Sequence, residues 1–270
     1  MYLRRMAVLA AVIFFLTTNT IQAGAQSASP TKAYQDMSRA ERLAFVHEQA
    51  RRIAREMSGN DYEFTAAFEV DIQQAVTRYA ERIGKPGAGR TDLRLVFERG
   101  QAQAPLLSAA FRARHVSPLI GLYLPWIESE YINIQSPSPM GALGMFQFLP
   151  TTGEHFGLSK EELLDVGKSA DAAARYITAS LEVFKDDPMK EALALLSYNR
   201  GAQRTTRSLK ILLNDENKRC SICALTSDRS KVDETLSPEN TLYVPRFFAA
   251  AIIGENPQSF GLQMQPLSSY

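Results

Sequence analysis

Apolar residues recur at helical intervals along most of the chain, and no stretch alternates apolar with polar residues for more than a few positions. The fold is therefore expected to be mainly α. Two helices are predicted between Ser38 and Ile83. The first opens on Ser38-Arg39-Ala40-Glu41, which has capping-box spacing, and carries Leu43, Val46, His47, Ala50 and Ile53 or Ala54 on neighbouring turns. The second carries Phe64, Phe68, Ile72, Val76 and Tyr79, with Gly84-Lys85-Pro86-Gly87 as its break. Leu93 to Phe97 fits the start of a strand or of a further helix. From Ser117 the pattern sharpens. Ser117 can cap, Pro118 suits a first helical turn, and Pro118 to Ile127 is apolar or glycine throughout, as in a helix buried on all sides. Glu128 and Glu130 come next. Residues 133–147, with Pro137, Pro139, Gly141 and Gly144, read as a loop. Thr151 to Glu154 and Ser159 to Glu162 repeat the capping-box spacing, and Asp187-Pro188 is expected to open a helix carrying Leu193, Leu196 and Tyr198.

The first 25 residues break this pattern. Arg4 and Arg5 precede an apolar run from Ala7 to Leu16, and Ala23-Gly24-Ala25 offers a small-residue cleavage site, the layout of an export signal. The run is short for a membrane span and ends at Thr17-Thr18-Asn19-Thr20, which disfavours an uncleaved anchor. Cleavage after residue 25 leaves 28 basic against 29 acidic residues in a periplasmic or extracellular protein. That balance speaks against nucleic acid, whose binding needs an excess of Lys and Arg. The expected partner list therefore has no nucleic acid and no membrane span after cleavage. Cys220 and Cys223 form a single CxxC among loop-like polar flanks, and His47, His115 and His155 are scattered. Four zinc ligands do not assemble from this set, so no metal or cofactor is expected, and a local disulfide stiffening a loop is the plainer reading in an oxidising compartment.

The acid at the end of the apolar helix is the candidate for chemistry. Desolvation and the negative end of the helix dipole both disfavour a charged Glu128, raising its pKa toward what a general acid needs near neutral pH. A Glu that merely ends a helix in water, or pairs with an Arg, is the competing reading. Glu128 and Glu130 are two residues apart and project in different directions, so they cannot be a two-carboxylate glycosidase pair. If only one enters a cleft, a single carboxyl must serve as both acid and base. Spacing does not say which.

Four blocks in order decide the point by resemblance: Glu128-Ser129, Ser138-Pro-Met-Gly-Ala-Leu-Gly-Met-Phe-Gln147, Ser197-Tyr-Asn-Arg-Gly201 and Glu239-Asn-Thr-Leu-Tyr-Val244. Together they resemble the soluble-type (family 1) lytic transglycosylases. Tyr123 to Ser129 as Tyr-x-Pro-x-x-Glu-Ser, and Tyr243-Val244-Pro245, point to the membrane-bound transglycosylase D-like branch. The resemblance implies a lysozyme-like helical catalytic domain over residues 106–265, after an N-terminal helical region over residues 26–105. It implies Glu128 as the catalytic acid and then base, with Ser129, Gln147, Tyr198, Asn199 and Tyr243 on the sugar and Glu239 supporting a tyrosine. Gly141 and Gly144 are expected to shape the loop, and Met145 and Phe146 to belong to the core. Four positions depart from the family pattern: Met145-Phe146 where Leu-Met or Ile-Trp is usual, Arg200 for a small residue, and Asn240 for the usual Thr.

The implied reaction cleaves the bond between N-acetylmuramic acid and N-acetylglucosamine in peptidoglycan and closes a 1,6-anhydro ring without consuming water. Two other readings stay open on the residues: a hydrolytic muramidase of the goose-lysozyme type, and a non-catalytic peptidoglycan-binding scaffold. Residues 38–105 offer the surface for any partner among cell-envelope machinery.

Overall fold

The computed structural model describes residues 32–85, 91–212, 219–227 and 236–270. The export signal expected over residues 1–25 lies outside them, as do Pro86 and Gly87 of the expected break. The protein is mainly helical. Among the described residues there is no named strand, only isolated bridges pairing Ile134 with Gly144 and Leu143 with Phe148. No described helix is long and apolar enough to cross a membrane.

In chain order the helices are α1 (Arg39–Ser58), α2 (Ala66–Ala80), α3 (Leu93–Arg112), α4 (Pro118–Ser129), α5 (Pro150–His155), α6 (Val166–Val183), α7 (Lys190–Arg200), α8 (Ala202–Leu212), α9 (Ser221–Ser227) and α10 (Pro238–Glu255). Ser38 and Glu41 form the capping box that starts α1. The Leu93 segment, open between strand and helix, is helical: Asp92 caps it by accepting from the Arg94 amide at 3.0 Å. α3 then runs on past Pro105, so the division expected at 105/106 falls inside a helix, and residues 32–270 form one compact unit.

Two capping expectations are corrected. Thr151 to Glu154 is no box, because α5 already begins at Pro150 with Leu149 before it. Asp187 accepts from the Met189 amide at 2.8 Å, yet α7 starts only at Lys190, since the proline is spent in the preceding turn. Ser159 and Glu162 do make reciprocal bonds, over a short 3-10 turn.

α4 is the centre of the molecule, with Leu119 to Ile127 all buried between α3 and α10. Two close approaches make this possible. A side chain at Gly121 would fall within 2.5 Å of the Phe111 ring on α3, and one at Gly254 within 2.3 Å of the Tyr123 ring. Tyr123 in turn donates to Glu255 of α10, which also accepts from the Ser268 hydroxyl and amide. These polar contacts tie the C-terminal segment to the core.

Candidate active site

α4 delivers Glu128 and then stops abruptly. Glu130 (φ 52°) and Tyr131 (φ 59°) are both left-handed, a conformation that costs non-glycine residues and that surroundings must hold in place. Arg82 does so for Glu130 with an ion pair at 2.7 Å, with Arg99 further off at 3.9 Å. Tyr131 donates to the Leu122 carbonyl at 2.6 Å, its ring lying over Gly100 of α3. The reversal sends the chain directly into residues 133–148.

That segment closes on itself. Gly144 donates to Ile134 at 2.9 Å, while Leu143 and Phe148 exchange backbone bonds at 3.0 and 3.1 Å around the turn Gly144 to Gln147. Met145 and Phe146 point into the core, Phe146 stacking on Phe111. Gln147 takes a left-handed φ of 50° and donates from Nε2 to the Gly144 carbonyl at 2.8 Å. Two side chains fasten the turn from outside. Ser129 donates to the Met145 carbonyl at 2.7 Å and Tyr198 of α7 to the Phe146 carbonyl at 2.9 Å.

α10 supplies the opposite wall. Tyr243 donates its hydroxyl to Glu128 Oε1. One turn further along, Arg246 reaches the Ile127 carbonyl at 2.9 Å, a cation at the C-terminal end of α4. Glu128 is half-buried by surface but closely surrounded. Desolvation lifts its carboxyl from the usual 4.5 to about 7, against the Tyr243 bond and the Arg246 charge, which lower it, and with the Glu239 charge, which raises it. Burial first, and then the Glu128 charge, push the Tyr243 and Tyr198 phenols well above their usual range, so both stay neutral donors.

The expected residues thus gather around one carboxyl, but in different capacities. Ser129 is buried and its hydroxyl is committed to the Met145 and Pro125 carbonyls, so it positions the turn instead of presenting a hydroxyl to a sugar. Tyr198 and Asn199 are half-buried at the end of α7, and Asn199 Oδ1 accepts from Asn240 Nδ2 at 2.5 Å. Asn240, one of the departures from the family pattern, is therefore what orients Asn199, and it closes a capping box with Ser237 as well. Glu239 is exposed in the first turn of α10 and makes no hydrogen bond to a tyrosine among the described residues; it acts on Glu128 through charge. Arg246 is the residue that reading the sequence missed. It directly follows Tyr243-Val244-Pro245, three residues after the tyrosine and so on the same helical face.

Cys220 and Cys223 are joined as a disulfide. They do not sit in a loop as expected: Cys220 precedes α9 and Cys223 lies in its first turn, both buried against the core, because Ile222 and Leu225 give that segment an inward apolar face. Asn217, Lys218 and Asp228 of the expected polar flanks lie outside the described residues. No three His, Cys, Asp or Glu side chains gather as a metal site among the described residues.

Residues 106–219 match the family described as Transglycosylase SLT domain. This stretch is similar to SLT domains. It starts within α3 and contains Glu128, the 133–148 turn and Tyr198, while the Tyr243 wall of the cleft comes from beyond the match. The SLT domain family comprises lytic transglycosylases, which act on peptidoglycan. The search of curated proteins found no match to the chain.

Proposed function

We propose that the protein is a peptidoglycan lytic transglycosylase in which Glu128 is the single acid and base. One observation carries this reading: a carboxyl at the end of a buried helix, lifted to about 7 by desolvation and bonded to a neutral phenol, inside an SLT domain. At neutral pH a sizeable fraction of Glu128 holds its proton. That proton goes to the glycosidic oxygen as the bond from it to C1 of N-acetylmuramic acid breaks. The resulting carboxylate then takes the proton from the C6 hydroxyl as that oxygen bonds to C1 and closes the 1,6-anhydro ring. Atoms balance without water. Tyr243 holds Oε1, which leaves Oε2 for the travelling proton. Glu130 is paired with Arg82, and Glu239 reaches Glu128 through charge without a hydrogen bond to it, so in this reading Glu128 serves as both acid and base.

Tyr198, Asn199 and Gln147 line the sugar path in this reading, and the Tyr-x-Pro-x-x-Glu-Ser and Tyr-Val-Pro segments support the transglycosylase D-like branch. The export signal over residues 1–25 supports action in the periplasm. Mass spectrometry of fragments released from purified sacculi tests the proposal. Anhydro ends, one water lighter than reducing ends, are the expected product. Reducing ends would make the protein a muramidase, and no release at all would leave a scaffold.

A further inference from the structure

Beside Glu130 the structure holds a cavity of about 320 Å3, lined by Arg78 and Tyr79 of α2, Arg82 of the turn after it, Glu130 and Arg246. Its volume is at the lower end of the roughly 300–1,000 Å3 range of small-ligand sites. Its charge is lopsided. Three guanidinium groups face one carboxylate, and that carboxylate already pairs with Arg82 at 2.7 Å, with Arg99 behind it at 3.9 Å. Among the described residues Arg246 makes no ion pair, its neighbours being the Ile127 carbonyl, the Tyr79 phenol and the Glu128 charge, and Arg78 is exposed with no hydrogen bond or ion pair. Arg99 adds to the imbalance, because its buried Nε and Nη2 lack a hydrogen-bond acceptor. Clustered arginines repel one another and lose hydration, so such an arrangement favours an incoming anion that several planar forks can grip.

The cavity is also placed to meet substrate. Arg246 lies three residues beyond Tyr243, about 4.5 Å along the helix axis, and it bonds the Ile127 carbonyl next to Glu128. We propose that this arginine cavity binds a carboxylate of the peptide stem carried by the muramic acid residue, making the enzyme selective for strands that still bear their peptides. This rests on the peptidoglycan reading above. It assigns to α2, outside the SLT match, a part in substrate choice.

The test compares three glycan substrates: strands with intact stems, strands whose stem carboxylates have been amidated, and strands stripped of peptide. The wild-type protein is expected to show a KM at least about tenfold lower on intact than on amidated strands, the scale of one charge-assisted contact, with kcat little changed. Arg78→Glu, at an exposed position, should bring the two KM values together, and Arg78→Lys should keep part of the difference. Equal KM values in the wild type, or a preference that survives Arg78→Glu, overturn the proposal and leave the transglycosylase reading intact. If no strand is cleaved, it is the reaction that fails. Calorimetric titration of free stem peptide into wild type and Arg78→Glu then decides the site by itself. Binding abolished by the charge reversal supports the cavity, and absence of binding sinks it. Inorganic phosphate serves as the second probe: competition with the stem peptide fits the shared anion chemistry, whereas phosphate binding without peptide binding overturns the assignment.

Discussion

The two sides of the α4 terminus hold glutamates two residues apart in opposite electrostatic company. On the α10 side Glu128 has a neutral phenol on one oxygen, and the nearest cation is turned to a backbone carbonyl. On the α2 and α3 side Glu130 has guanidinium groups as partners. In the proposed mechanism the first setting serves a proton donor, while the second makes its glutamate a partner for arginine. Burial alone does not make a catalytic acid; burial without a committed counter-charge does.

The sharpest way to break this contrast is to neutralise each acid in turn. Glu128→Gln should lower turnover by roughly 10²–10⁴-fold, as for loss of a general acid–base group, while Glu130→Gln should stay within about tenfold. Rates of anhydro-end formation on the same sacculi check it, and the reverse order would place the chemistry on Glu130. Next in size, Tyr243→Phe removes the contact that lowers the Glu128 pKa. It should reduce turnover about tenfold, the scale of one lost hydrogen bond to an ionisable group, and carry the alkaline limb of the pH profile upward from its wild-type position near about 7. A limb that moved down would mean Tyr243 acts as an acceptor.

Stability gives the contrast in opposite signs. A carboxyl whose folded pKa is raised costs nothing while protonated and destabilises the fold as pH climbs from about 4.5 through about 7. Glu128→Gln should therefore stabilise the protein above pH 7, by about 2 kcal/mol once partial solvent contact is allowed for, and by little at pH 4. Glu130→Gln should instead destabilise by about 1 kcal/mol, since it strips Arg82 of its counter-charge. Denaturant melts of both variants at pH 4 and pH 8 separate the two. The smallest effect is expected away from the terminus. Replacing Cys220 and Cys223 with Ala should leave turnover within about twofold, and a chelator should leave it unchanged, because the pair is a disulfide with no further ligand gathered beside it among the described residues.

Much of this terminus was legible in the sequence, because helix burial and capping are local. The all-apolar run from Pro118 to Ile127 announced both the buried helix and the desolvated acid at its end. What escaped is nonlocal. Ser129 was expected at the sugar but its hydroxyl is taken by Met145, sixteen residues on, and nothing in either segment specifies that pairing. Asn240 read as a departure from a pattern until its bond to Asn199 was seen. Arg246 was invisible because its significance lies in the carbonyl and the cavity it reaches, which belong to α4 and α2. The Leu93 segment was ambiguous for another reason: five residues are too few to tell the helical period from the strand period.

The turn that carries Gln147 also sets where this protein is free to change. Gly144 has φ 75°, and any side chain there would meet the Leu163 carbonyl oxygen at 2.3 Å, backbone that cannot move aside. Four residues earlier Met140 is 82% exposed, and nothing lies within 4 Å of the space beside Gly141. A mutational library over this lip should therefore split in two. Variants at Met140 should fold and differ in substrate range, while those at Gly144 should drop out at the level of folded protein. Divergence among descendants of this protein is channelled to the tip of the loop and withheld from its base.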